Sequence, residues 1–140
     1  MEYLKEFNEM MANTKDIALA TSVNNVPNVR IVNFYYDPRK PGVVYFTSVK
    51  GKPKEYEFLQ NNQVAFTTVP VGTSAHVRVR NATVHKSSLS IHDLKNAFID
   101  KISTYKIIIA QLGDKIDLYE IHFSEANVIS GVNNQGKVTF

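Results

Sequence analysis

The chain has 140 residues, 44% hydrophobic and 21% charged, with a net charge of +3 and no cysteine. Those values fit one globular domain with a sizeable core. They exclude disulfides, thiol catalysis and thiolate metal sites, and they suit the reducing cytoplasm, where the protein is expected.

The first residues carry acids and lack an apolar core, so no signal peptide is expected. No apolar run reaches the roughly 20 residues that span a bilayer, so no membrane partner is expected. Leu4, Phe7 and Met11 recur at helical spacing, which predicts a short amphipathic helix ending near Asn13. Ile17 to Val23 is a β-rich run, Asn24-Asn25 a turn signal, and Val26 to Tyr36 a second strand. A loop from Asp37 to Gly42 leads to a third strand, Val43 to Thr47, and the three read as an antiparallel meander. Gly51 and Pro53 break the pattern, and Pro53 suits the first turn of a helix that continues over Lys54 to Gln60. Val64 to Val69 is a strand. Ala75 to His85 is another, with His76, Arg78 and Arg80 alternating against Val77 and Val79. Ser90 is placed as an N-cap, with Asp93 as the far member of a short capping box, and Leu94, Phe98 and Ile102 continue that helix. Ile107 to Ala110 is too short to assign, and Leu112 to Lys115 is turn-like. Asp117 to Phe123 and Ala126 to Ile129 are closing strands. A mobile tail is expected over 131–140, from which Val138 and Phe140 can dock. The sum is a mainly β (α+β) single domain, 1–140. Six or seven antiparallel strands close into a barrel, which leaves no exposed edges, with two or three flanking helices.

Three segments carry chemistry together. Arg30 sits mid-strand in Asn28-Val29-Arg30-Ile31-Val32-Asn33-Phe34, Val44-Tyr45-Phe46-Thr47-Ser48 is a strand with a polar end, and Lys50-Gly51-Lys52-Pro53-Lys54 leads into a helix. A helix start favours anions through free N–H groups and a partial positive charge. Lysines add full charge, and an arginine fork grips two oxygens. Lysines in a turn are ordinarily only solvated. Arg30 on a strand that a meander brings alongside makes phosphate the sharper reading.

Arg30-Ile31-Val32, Tyr45-Phe46-Thr47-Ser48, Lys54 at a helix start and Leu59-Gln60-Asn61-Asn62-Gln63-Val64-Ala65-Phe66 together resemble the pyridoxamine 5'-phosphate oxidase-like FMN-binding split barrels. His76 to Thr83 is similar to the strand that crosses the dimer interface there. The resemblance covers roughly residues 5 to 130. It implies a split barrel, a homodimer with FMN at its interface, and an oxidoreductase acting on an unidentified small molecule. It implies that Arg30 and Lys54 hold the FMN phosphate, joined by Lys52 in place of an arginine of the family. Ile31, Val32 and Asn33 would then run along the flavin through their backbone, and Phe46, Thr47 and Ser48 would lie near it. No catalytic side chain is assigned. His76 matches a position where some members contact FMN from the partner chain. The chain has no tryptophan and lacks the Arg-containing C-terminal motif of true pyridoxamine 5'-phosphate oxidases, so vitamin B6 oxidation is not expected. Asn81 stands where many relatives have glycine, and asparagine tolerates the left-handed backbone that a bulge there needs.

An alternative on the same barrel is a non-catalytic protein that stores or senses flavin or haem; some relatives take a deazaflavin. A barrel without cofactor is the bland alternative. The basic residues are dispersed and not interleaved with aromatics, so no nucleic-acid partner is expected. His85, His92 and His122 show no metal spacing, and Glu120 with His122 reads as the solvent face of a strand.

Overall fold

A computed structural model describes residues 2–140. Helix α1 (Leu4–Asn13) turns Phe7 and Met11 inward. The hairpin β1 (Asp16–Val23) to β2 (Val26–Asn33) turns through Asn24 and Asn25, at φ 53° and 64°. A two-residue hairpin turn of this kind needs left-handed backbone at both central positions, which asparagine accepts. The expected single strand to Tyr36 is divided at Phe34. The Phe34 N–H still reaches Lys15 O (3.1 Å), just before β1, whereas Tyr35–Tyr36, strand β3, pairs with β4 (Val43–Val49) instead. Then come α2 (Pro53–Gln60), β5 (Gln63–Thr68), β6 (His76–Lys86), α3 (Lys95–Lys101) and α4 (Tyr105–Leu112). A 3₁₀ turn (Gly113–Lys115) precedes β7 (Ile116–His122), β8 (Glu125–Gly131) and β9 (Asn134–Thr139).

The strands pair in the order β2-β1-β5-β6-β7-β4-β3, and β8 and β9 add on beside β6. The two ends of that order, β2 and β3, are consecutive in the chain, so the sheet curls round until its ends meet at Phe34. β2 nevertheless pairs only with β1, and it approaches β4 without a ladder. That unpaired edge is the split in the barrel. Opposite it, β6 changes partners: His76–Arg78 pair with β8 and Thr83–Lys86 with β7. Asn81 between them lies at φ 58°, beside the register shift at Val64/Phe66, so the left-handed conformation expected there is present.

Side-chain alternation along these strands makes two apolar layers. The barrel interior holds Phe34, Phe46, Phe66 and Ile121, with α1 closing it through Phe7. The outer face of β4 and β7, at Tyr45 and Leu118, is covered by Ile91, Phe98, Ile102, Tyr105 and Ile109.

Besides the division at Phe34, four features differ from the sequence expectation. The stretch expected to be a mobile tail forms β9, with Val138 fully buried and the Phe140 ring 5.1 Å from Phe7. The unassigned Ile107–Ala110 lies inside α4. Ser90 does not cap α3, whose N-cap is Leu94; the Asp93 carboxylate accepts the Ser90 N–H (2.8 Å) in a local turn instead. Among the described residues, the added β3 and β9 raise the strands to nine, and α4 raises the helices to four. No described helix is long and apolar enough to cross a membrane.

Candidate functional site

The site grows from Arg30. In the β1–β2 register it stands opposite Leu19, whose side chain is in the barrel interior. The guanidinium donates to Leu19 O (3.1 Å), to Thr21 Oγ1 (2.9 Å) and to the Glu57 carboxylate on α2. Of the five N–H donors of an arginine, these bonds occupy three, which leaves two for a ligand. Glu57 also accepts from Thr21 (2.9 Å) and Asn28 (3.1 Å). The Asn28 bond first, then Thr21 and the Arg30 charge, hold its carboxyl below the usual range against partial burial. A fixed carboxylate thus pins the arginine.

Lys54 lies one helical turn before Glu57, on the same face of α2. It is half-buried, and burial first, then the Arg30 and Lys52 charges, push its ammonium below the ordinary lysine value; Glu55 opposes them. Pro53 fills the first turn of α2, Lys52 is its extended N-cap, and no side chain caps the helix. The exposed helix start and three cations therefore converge, with Glu57 as the carboxylate bonded to Arg30. Lys50 is turned away toward Asp117 (3.9 Å).

The other expected site residues lie along the split. Ile31 points outward from β2 and is 64% exposed, whereas Val32 is buried in the barrel. Asn33 donates to Asp16 Oδ1 (2.5 Å). Across the split on β4, Phe46 is fully buried between Tyr119 (centroids 5.5 Å) and Phe58 (5.7 Å). Thr47 is on the other face, its hydroxyl bonded to Tyr105 (2.9 Å). Ser48 is buried, with Oγ 3.4 Å from Val49 O. The structure gathers Arg30, Lys54 and Lys52 at the start of α2. It leaves Ile31 to Asn33 on a free edge and engages the β4 side chains in packing. Tyr36 and Tyr105 are buried, and Tyr35 packs on Phe98 (5.8 Å). His76 Nδ1 is 2.8 Å from Ser74 O.

Sequence reading missed Glu57 and Thr21, which pin Arg30, because nothing local in the sequence links them to it. It also missed Lys101 on α3. The Lys101 ammonium lies 3.6 Å over the Phe34 ring and donates to Met11 O (3.0 Å). Burial pushes it down to about 7, opposed by Asp16, the residue that holds Asn33.

On the outer face, Val29 and Ile31 of β2 are 62% and 64% exposed beside the small residues Ala18, Ala20 and Ala65. A shallow groove of about 580 Å³, edged by Arg78 and Arg80, runs along this face.

The sequence model of the pyridoxamine 5'-phosphate oxidase-like family matches residues 10–135. The chain belongs to this family. Among solved structures it is similar to Campylobacter jejuni ChuZ, with 18% identity, TM-score 0.73, and coverage of 96% of this chain and 58% of that one. It is similar to a heme binding protein from Mycobacterium smegmatis, with 12% identity, TM-score 0.72, and coverage of 93% and 55%. It is also similar to a FAD-binding protein from Mesorhizobium loti, with 16% identity, TM-score 0.64, and coverage of 95% and 90%. The chain thus spans little more than half the length of the first two. At these identities the likeness establishes the split-barrel fold that family members share. No curated protein matches the sequence.

Proposed function

We propose that this member of the pyridoxamine 5'-phosphate oxidase-like family binds FMN, with the phosphate on Arg30, Lys54 and Lys52, and serves as an oxidoreductase on a small molecule. The observation that carries the reading is the pair of partly buried cations, Arg30 and Lys54. They are held together although their charges repel, and Arg30 keeps two N–H donors unspent. A dianionic phosphate relieves that repulsion and takes those donors, so the residues present fit the group. Bound FMN supplies electron or hydride transfer. The chain's part is to orient it: Glu57 and Thr21 fix the guanidinium, and the free edge of β2 at Ile31, Val32 and Asn33 offers backbone donors and acceptors. Phe46, Thr47 and Ser48 wall the opposite side of the split.

The apolar outer face at Val29 and Ile31, flattened by Ala18, Ala20 and Ala65, supports a homodimer, the assembly that the family resemblance implies. The mass of the protein in solution, with Ile31→Asp as the disrupting variant, tests it.

The decisive experiment is titration with FMN and with riboflavin, which has no phosphate. Losing one charge-assisted bond to phosphate costs about 1.5–3 kcal/mol, or roughly tenfold to a hundredfold in affinity. Lys54→Met is expected to lose that much for FMN and nothing for riboflavin. Equal binding of both flavins by the wild type, or a Lys54→Met variant that retains full FMN affinity, refutes the phosphate site. A haem-binding protein on the same barrel is the second reading, favoured by the likeness to the Mycobacterium smegmatis protein. A Soret band on haem addition, without any flavin response, selects it.

A further inference from the structure

β6 and β7 bring two histidines and a glutamate together on the outer face of the sheet. His85 stands opposite Glu120, and His122, two residues further along β7, stands opposite Thr83. Alternation places all of them on one face. His122 Nε2 lies 2.7 Å from Glu120 Oε1, and His85 Nε2 lies 3.7 Å from the same oxygen. The two imidazoles stack with centroids 4.5 Å apart. One ligand atom from each residue falls within 4.8 Å of the others. Tetrahedral ligands at about 2.1 Å from a metal stand about 3.4 Å apart, so small side-chain rotations close the set.

The carboxylate is already oriented. Glu120 Oε2 accepts the Ser87 hydroxyl (2.5 Å), and Ser87 Oγ accepts the Leu89 N–H (3.0 Å). One oxygen is thereby tied back, and the other is presented to the histidines, the arrangement by which outer partners aim metal ligands. Lys86, the nearest lysine in sequence, is drawn away to Asp117 (3.1 Å). An ordinary surface ion pair needs one histidine. A second ring stacked on the first and aimed at the same oxygen adds little to such a pair, but it completes a three-ligand set. Glu120 is mostly buried while His85 and His122 are about half exposed, so solvent reaches the open side.

We infer that His85, Glu120 and His122 bind a divalent transition metal of the zinc class, with water in the fourth position. Two imidazoles and one carboxylate suit zinc, cobalt or nickel, whereas magnesium and calcium require oxygen ligands. Three protein ligands with an open fourth position match catalytic rather than structural zinc sites. The inference does not rest on the flavin reading, since none of these residues belongs to the phosphate site.

The test is titration of the wild-type protein with cobalt(II), read by visible absorption and followed by displacement with zinc(II). One cobalt per chain is expected, with intense tetrahedral bands that zinc abolishes. His85→Asn/His122→Asn is expected to lose the bands while keeping the wild-type circular dichroism. Ser87→Ala is expected to weaken binding about tenfold to a hundredfold. His76→Asn and His92→Asn, the remaining histidines, are expected to bind as the wild type does. Absence of saturable bands in the wild type, or their persistence in the double variant, overturns the site. Should the double variant misfold, Ser87→Ala decides: unchanged affinity there overturns the proposal.

Discussion

Replacing Lys101 with methionine should change how stability depends on pH. The ammonium is mostly buried, and burial lowers it from 10.5 to about 7. At about 1.36 kcal/mol per pH unit, that displacement corresponds to at most about 5 kcal/mol. The hydrogen bond to Met11 O, near the negative end of α1, and the contact with the Phe34 ring both favour the charged form. Residual solvent access screens the rest, so about 2–3 kcal/mol is expected. Between pH 7 and 10.5 the unfolded chain binds the proton more tightly than the folded one, so folded stability rises with pH across that window. At or below pH 7 the folded protein carries the whole penalty. Lys101→Met keeps the apolar stem and removes the charge. The variant should therefore be more stable than the wild type by about 2 kcal/mol at pH 6.5. The advantage should shrink steadily as the pH approaches 10. Urea unfolding at a series of pH values, with unchanged m-values as the control, measures this. Parallel stability curves for the two proteins would show that Lys101 titrates normally and would refute the argument.

Two further substitutions probe the fold. Gly42 lies at φ 79°, and an added Cβ would sit 2.5 Å from the Phe123 carbonyl oxygen, so Gly42→Ala should cost at least about 2 kcal/mol in urea unfolding. Phe46→Ala empties the centre of the Phe58–Tyr119 cluster and should cost about 3–5 kcal/mol, read as a lowered melting temperature.

Local chemistry explains what was legible in the sequence. Asn24-Asn25, Asn81 and Pro53 each announce a backbone state, and each stands where that state occurs. Apart from the strand divided at Phe34, the strands between Ile17 and Phe123 are placed within a residue or two by their β-rich runs and turn signals. What was hidden depends on distant partners. Phe34 divides a strand only because β4 competes with β1 for the next residues. α4 carries apolar residues around its circumference, with Ile109 buried and Ile107 exposed, so its period is blurred. β9 is polar except at Val138 and becomes a strand because β8 offers an edge. At the phosphate site the cations were visible in sequence, whereas the carboxylate pinning Arg30 was not. Glu120 and His122 look like a solvent face until the register of β6 supplies His85.

The order of the strands also sets how the barrel assembles. Four hairpins, β1–β2, β3–β4, β5–β6 and β8–β9, join neighbours in the chain and can form early from short loops. The pairing of β4 with β7 instead joins segments separated by two strands and three helices, so its loop-closure cost is larger, by about 2 kcal/mol. The pairing of β4 with β7 is therefore expected to limit the folding rate. Refolding belongs in the range of milliseconds to seconds that nonlocal β topologies occupy, and changes at Tyr45 or Leu118 should slow folding more than changes at the Asn24-Asn25 turn.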